Sequence, residues 1–268
     1  VRRWWWAAAL LLVVAVGIVL VGREAGLPLL APRDRTWQAI QSRGVWRVGL
    51  DPSFPPFEHL DEAGRPVGFD VELAQRIAAT WGGDVELISI GFDSLLDAVR
   101  TARVDSVVSA YPYDPRLTRD VRFSTPYFDA GIRLAVRADS ALQAVEGLTQ
   151  GTVAVEWGSM GDLVGRRLQR EQPALELAQF QTPAEVIDAL VTNPAISAAL
   201  TDNVTLRQAQ AQGQPIRGID PILESNPYVI VMPFAARTVA EHVDQALADL
   251  QASGQLAELE SQWFATEP

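Results

Sequence analysis

Two carboxylic acids one residue apart, Asp70 and Glu72, stand at the head of the apolar stretch "VGFDVELAQRIAATWGG", residues 67–83. Paired carboxylates are common instruments of general acid–base chemistry. The spacing here speaks for a helix instead. Phe69, Val71, Leu73, Ala74, Ile77 and Ala78 recur on one face at helical period, which predicts a helix over Val71–Trp81. Asp70 then falls at the N-terminus, where a carboxylate accepts orphan N–H groups and suits the macrodipole, and Gly82 and Gly83 end the helix. A structural cap outweighs a catalytic pair. Other familiar chemistries lack their residues. There is no cysteine, which excludes thiol catalysis, disulfides and cysteine metal sites. The two histidines, His59 and His242, lie far apart and read as surface residues, which argues against a histidine metal site or a hydrolase triad.

The elements that must position any site follow from composition and pattern. At 268 residues and 48% hydrophobic content, the chain can bury one large core or two modest ones. A net charge of −11 argues against nucleic acid or an anionic surface as the partner of the folded part. Near the N-terminus 19 uncharged residues, Trp4–Gly22, run between Arg2–Arg3 and Arg23, long enough nearly to cross a hydrocarbon core. Residues 1–24 therefore read as a membrane anchor, or as a signal peptide with a poor cleavage site in "VLVGREAGLP", and 25–43 as a linker. Beyond it, strands are expected at Trp46–Leu50, Val85–Ile90, Val104–Ala110, Ile132–Arg137, Val153–Trp157, Ile196–Thr201 and Tyr228–Pro233. Helical patterns alternate with them, and two more, Val239–Ala252 and Gln255–Trp263, close the chain. The alternation predicts mostly parallel α/β sheets with ligands outside the carboxyl ends of strands. It starts afresh near Val153, which predicts two lobes, 44–130 with 227–268 and 131–226, around a cleft.

The loops after these strands carry the polar and aromatic candidates. Asp51, Phe54 and Phe57 follow the first strand in a proline-rich loop, and Phe92 follows the second. Ser109, Tyr111, Arg116 and Arg119 follow the third. Gly158 and Ser159 occupy a strand-to-helix turn, a place where free N–H groups hold anions, and Asp202 ends a strand just before a helix. Each taken singly reads better as core, turn or cap. In order, however, "GRPVGFDVELAQRIA", "VRFSTPYF" and "ALADLQASGQLAELESQWF" closely resemble the bacterial extracellular solute-binding proteins of family 3, amino-acid receptors of ABC importers, from Gly44 to Phe264.

That resemblance implies a two-lobed periplasmic-binding-protein-like fold (type II) that closes on a small ligand and delivers it to an ABC permease. It implies no metal or organic cofactor, and a monomer is expected. By position it assigns Phe54 and Phe92 to a sandwich around the ligand side chain, and Asp51 to that side chain in receptors for basic amino acids. Ser109 would help hold the ligand, Ser159 and Met160 the α-carboxylate, and Asp202 the α-ammonium. Tyr111 lines the same loop. The arginine that clamps the carboxylate in the family falls here on Leu117, with Arg116 one residue early and Pro112 and Pro115 bracketing it. Glu156 and Trp157 put an acid and a large ring beside the second-lobe turn; Asp51 with Glu156 would favour a cationic side chain. Hinges are expected near Phe128–Gly131 and Asn226–Tyr228. Two rival classes share the fold: a cyclohexadienyl dehydratase, for which Glu156 is the candidate general acid, and the sensor domain of a signalling receptor.

Overall fold

A computed structural model describes residues 34–265. The expected anchor over 1–24 lies outside them, and among the described residues no helix is long and apolar enough to cross a membrane. The first element among the described residues is a helix, α1 (Thr36–Arg43), where a linker was expected. Trp37 stacks on His242 at 3.9 Å and meets Trp81 edge-on at 5.2 Å, so contacts remote in sequence order this segment. His242 is thus a packing residue, and His59 likewise meets Trp263 edge-on.

Strand β1 (Val45–Leu50) leads into a small antiparallel sheet of β2 (Ser53–Phe54), β3 (Glu58–Leu60) and β4 (Pro66–Val67). Helix α2 (Phe69–Thr80), β5 (Asp84–Ser89), α3 (Phe92–Arg100), β6 (Ser106–Val107) and β7 (Val121–Phe123) follow. The chain then crosses on β8 (Phe128–Asp129) into β9 (Ile132–Arg137), β10 (Gly151–Glu156), α4 (Met160–Glu171) and β11 (Leu175–Phe180). After α5 (Pro183–Thr192), β12 (Ile196–Asp202), α6 (Asn203–Ala211) and β13 (Ile216–Glu224), it returns on β14 (Pro227–Tyr228) and β15 (Val231–Pro233) to α7 (Arg237–Ala252) and α8 (Gln255–Ala265).

Two five-stranded sheets result, ordered β5-β1-β6-β15-β7 and β11-β10-β12-β9-β13. The alternating βα segments pair in parallel, β1 with β5 and β6, and β10 with β11 and β12. The strands next to the crossings, β9, β13 and β15, pair antiparallel, so both sheets are evenly mixed where mostly parallel ones were expected. The crossings themselves form a ribbon, with Phe128 opposite Tyr228 and Asp129 opposite Pro227. The Asp129 carboxylate fastens it, accepting from the N–H groups of Gly131 (2.8 Å) and Asn226 (2.9 Å) and the Ser225 hydroxyl (2.7 Å).

The core of the first lobe gathers Trp46, Phe57, Phe69, Leu73 and Phe264; that of the second is built on Leu134, Val155 and Leu200 on one sheet face and Ala199, Leu190 and Leu206 on the other. The "GFD" at the start of α2 is a device of packing. Gly68 has φ 141°, and a Cβ there would stand 2.2 Å from the Phe57 carbonyl oxygen, so only glycine lets the helix begin against β3. Phe69 fills the core edge-on to Phe57 at 5.7 Å; its truncation would cost about 3–5 kcal/mol. Asp70 departs from expectation. It does not cap α2, whose N-cap is Gly68, but is fully buried and reaches across to the loop after β6. Glu72 turns outward to Arg76 (2.7 Å) and the Trp263 indole N–H (3.0 Å).

Candidate functional site

Two cavities open at the carboxyl ends of strands, one on each lobe, and their linings share no residue. The first, about 300 Å³, brings together four of the expected residues, Asp51, Phe54, Phe92 and Ser109, and adds Glu58 and Tyr228. Asp51 leaves β1 and its Oδ2 accepts the Phe92 N–H at 2.8 Å, capping α3 from outside because Gly91 has no side chain to do so. This contact sets β1's loop against α3. Phe54 and Phe92 are 43% and 44% exposed, Phe54 stacked on Phe57 at 5.6 Å and Phe92 on Tyr111 at 5.4 Å. Tyr111 therefore backs the aromatic wall and is not part of the cavity lining.

Beneath the wall lies a chain of buried polar groups. The Asp51 N–H donates to Ser109 Oγ (3.0 Å), whose hydroxyl donates to Glu58 Oε1 (2.7 Å). Asp70 Oδ2 accepts the Ala110 N–H (2.5 Å) and the Tyr127 hydroxyl (3.0 Å). Ala110 has φ 42°, a left-handed conformation that costs an alanine about 1 kcal/mol or more and is held here by that N–H bond. Glu58 Oε2 and Asp70 Oδ1 are both buried without another partner. A proton between the two carboxyls satisfies both oxygens. Burial, then the facing Asp70 charge, raises the Glu58 carboxyl far above the glutamate range; burial also raises Asp70, against the bonds it accepts. The proton belongs on Glu58, since Asp70 has the N–H and O–H donors that stabilise an anion.

The second cavity, about 360 Å³, gathers the other four expected residues that the fold brings together, Glu156, Ser159, Met160 and Asp202, with Glu224 and Asn226. Ser159 is the N-cap of α4: its Oγ accepts the Asp162 N–H (3.2 Å) and its hydroxyl donates to the Glu156 carbonyl (2.8 Å). A Cβ on Gly161 would sit 2.7 Å from the Leu200 carbonyl, so glycine lets the first turn of α4 press against the end of β12. Asp202 caps α6, accepting the Thr205 N–H (2.8 Å) and hydroxyl (2.7 Å) on separate oxygens. A carboxylate has about four acceptor positions, so capping leaves it able to bind a cation from the cavity.

Arg116 is not brought to either cavity. Asp114 caps the short turn Pro115–Leu117 and binds the Arg116 guanidinium at 2.7 Å, leaving that side chain 87% exposed while Leu117 packs against the buried cluster that includes Val99, Val121 and Val231. Arg119 is exposed as well. Among the described residues no arginine lines either cavity, and the basic residues of this chain are all arginine. Tyr228 links the halves. It lines the first cavity from the ribbon, and its phenol is pushed up by burial and then by the charges of Asp202, Asp70 and Glu58. Glu58 and Tyr228 escaped sequence reasoning because each sits in a two- or three-residue antiparallel strand, too short to show a pattern; the acid in "PPFEHL", twelve residues before Asp70, was the available signal.

A family model for bacterial extracellular solute-binding proteins, family 3, matches residues 46–266. The arginine-binding extracellular protein ArtP of Bacillus subtilis is 25% identical over 222 residues, 82% of this chain and 86% of that protein. Among solved structures, a mutant of ArgBP from T. maritima is 31% identical with a TM-score of 0.53, covering 86% of this chain and all of the other. An ancestral cyclohexadienyl dehydratase is 21% identical with a TM-score of 0.74, covering 88% and 98%.

Proposed function

The chain belongs to the family 3 bacterial extracellular solute-binding proteins, and we propose that it is the extracytoplasmic receptor of an ABC importer for a polar or charged amino acid or a similar small zwitterion. The observation that carries this reading is the pair of cavities at strand carboxyl ends, each lined by acids, both bordering the ribbon between the sheets. Lobes 44–130 with 227–268 and 131–226 close about Phe128–Gly131 and Asn226–Tyr228, placing the ligand between Phe54 and Phe92 on one side and Glu156, Ser159, Met160 and Asp202 on the other. Ser109 acts through Asp51 and Glu58, and Arg116 has no part. ABC permease subunits receive the closed form, and residues 1–24 tether the monomer to the membrane. We read it as a binder with no catalytic step, as the name of ArtP supports.

Calorimetric titration of the full chain with an amino-acid panel tests this. A ligand that raises the melting temperature and reduces the radius of gyration is expected, since ligand stabilises the state it binds better. A panel in which nothing binds would remove the reading.

A further inference from the structure

We infer that the cleft recognises an organic cation by two positive ends, and that an α-carboxylate on the ligand is dispensable. This rests on the proposed function and goes beyond its substrate class. Both half-sites are lined by acids: Asp51, with Glu58 backed by the buried Asp70, on one lobe, and Glu156 and Asp202 on the other. Glu58 is 1% exposed yet lines its cavity. Neither lining contains a cationic side chain among the described residues, and the turn that could have supplied one ties Arg116 to Asp114 and turns Leu117 inward. The half-exposed rings of Phe54 and Phe92 are apolar platforms whose faces attract a guanidinium or ammonium.

A carboxylate entering this cleft meets uncharged donors alone, the N–H groups at the start of α4 and side chains such as Asn226 and Tyr228, with Glu156 immediately before the α4 turn. The favourable dipole and the nearby acid oppose each other there. A cationic end at each lobe, in contrast, finds an acid at both. The ligand that fits is a diamine or an amino-guanidine of amino-acid size, with a basic amino acid accepted through its two cations.

The test is calorimetric titration of the full chain with arginine, with agmatine, which is arginine without its carboxylate, and with glutamine, which keeps the carboxylate but has one cation. Agmatine is expected to bind at least as tightly as arginine, glutamine at least a hundredfold more weakly, and Glu156→Gln to weaken agmatine at least tenfold. Arginine binding a hundredfold more tightly than agmatine would overturn the inference and leave the receptor reading intact, as would glutamine binding best. Binding of none of the three, nor of any other amino acid, would overturn both.

Discussion

The two half-sites bury and hold their acids in opposite ways. In the first lobe, Glu58 lies in the cavity floor and Asp70 beneath it, bonded to Ser109 and to Ala110 and Tyr127 respectively, and the strained Ala110 depends on Asp70. In the second lobe the acids stand at helix starts: Asp202 caps α6, and Glu156 ends the strand whose turn Ser159 caps. The first arrangement fixes geometry at the cost of desolvating two carboxyls, whereas the second leaves charge available at the surface. Changes in the first lobe are therefore expected to register in stability, and changes in the second in affinity.

The hardest test of that division is Asp70→Ala. It leaves the Ala110 N–H and Tyr127 hydroxyl unpaired, and about 3–5 kcal/mol of stability is expected to be lost in urea unfolding followed by tryptophan fluorescence. A loss below about 1 kcal/mol would make the buried pair incidental. Next is Asp202→Ala. Its cap is worth about 1 kcal/mol of stability, but its place on the cavity predicts a loss of roughly 2–3 kcal/mol in binding, about 30- to 160-fold. If stability falls and affinity does not, Asp202 is a cap alone.

A smaller effect separates charge from packing. The folded chain keeps a proton on Glu58 that the unfolded chain releases above the ordinary glutamate range, so the folded state binds more protons and its stability falls as pH rises. That contribution is complete in acid and is lost progressively from about pH 5 upward through neutrality. Glu58→Gln, which can still donate to Asp70, is expected to flatten this slope and to be more stable than the parent at pH 8 by about 1–2 kcal/mol. An unchanged slope in thermal melts at pH 5, 7 and 9 would place the proton elsewhere. Smallest of all is Arg116→Ala. Its exposed pair with Asp114 predicts no measurable change in stability or affinity; a tenfold loss of binding would return the carboxylate clamp to Arg116.

The sequence was most readable where a single rule governs. Ile132–Arg137 forms a strand with the expected bounds, and Asp51, Phe54, Phe92 and Ser109 meet on one cavity because loops after parallel strands share one edge of a sheet. It was least readable where distant contacts decide. Val104–Ala110 looks like one strand, yet only Ser106–Val107 is assigned to it, since Ala110 turns left-handed toward Asp70. Helix α1 depends on Trp81 and His242, and β13 carries polar and proline residues that hide its period. The role of Asp70 depended on Glu58 and Ala110, which no helical period in its own segment could reveal.

The central claim, that the two cavities are halves of one site that closes, can be put to a single distance. The chain has no cysteine, so Asp93→Cys, beside Phe92 in the first turn of α3, and Leu163→Cys, in the first turn of α4, take spin labels without background. Both positions are exposed, one on each lobe. The account expects the inter-label distance to shorten and its distribution to narrow when arginine or agmatine saturates the protein. Saturation shown by calorimetry on the labelled protein, with the distance unchanged, would contradict it.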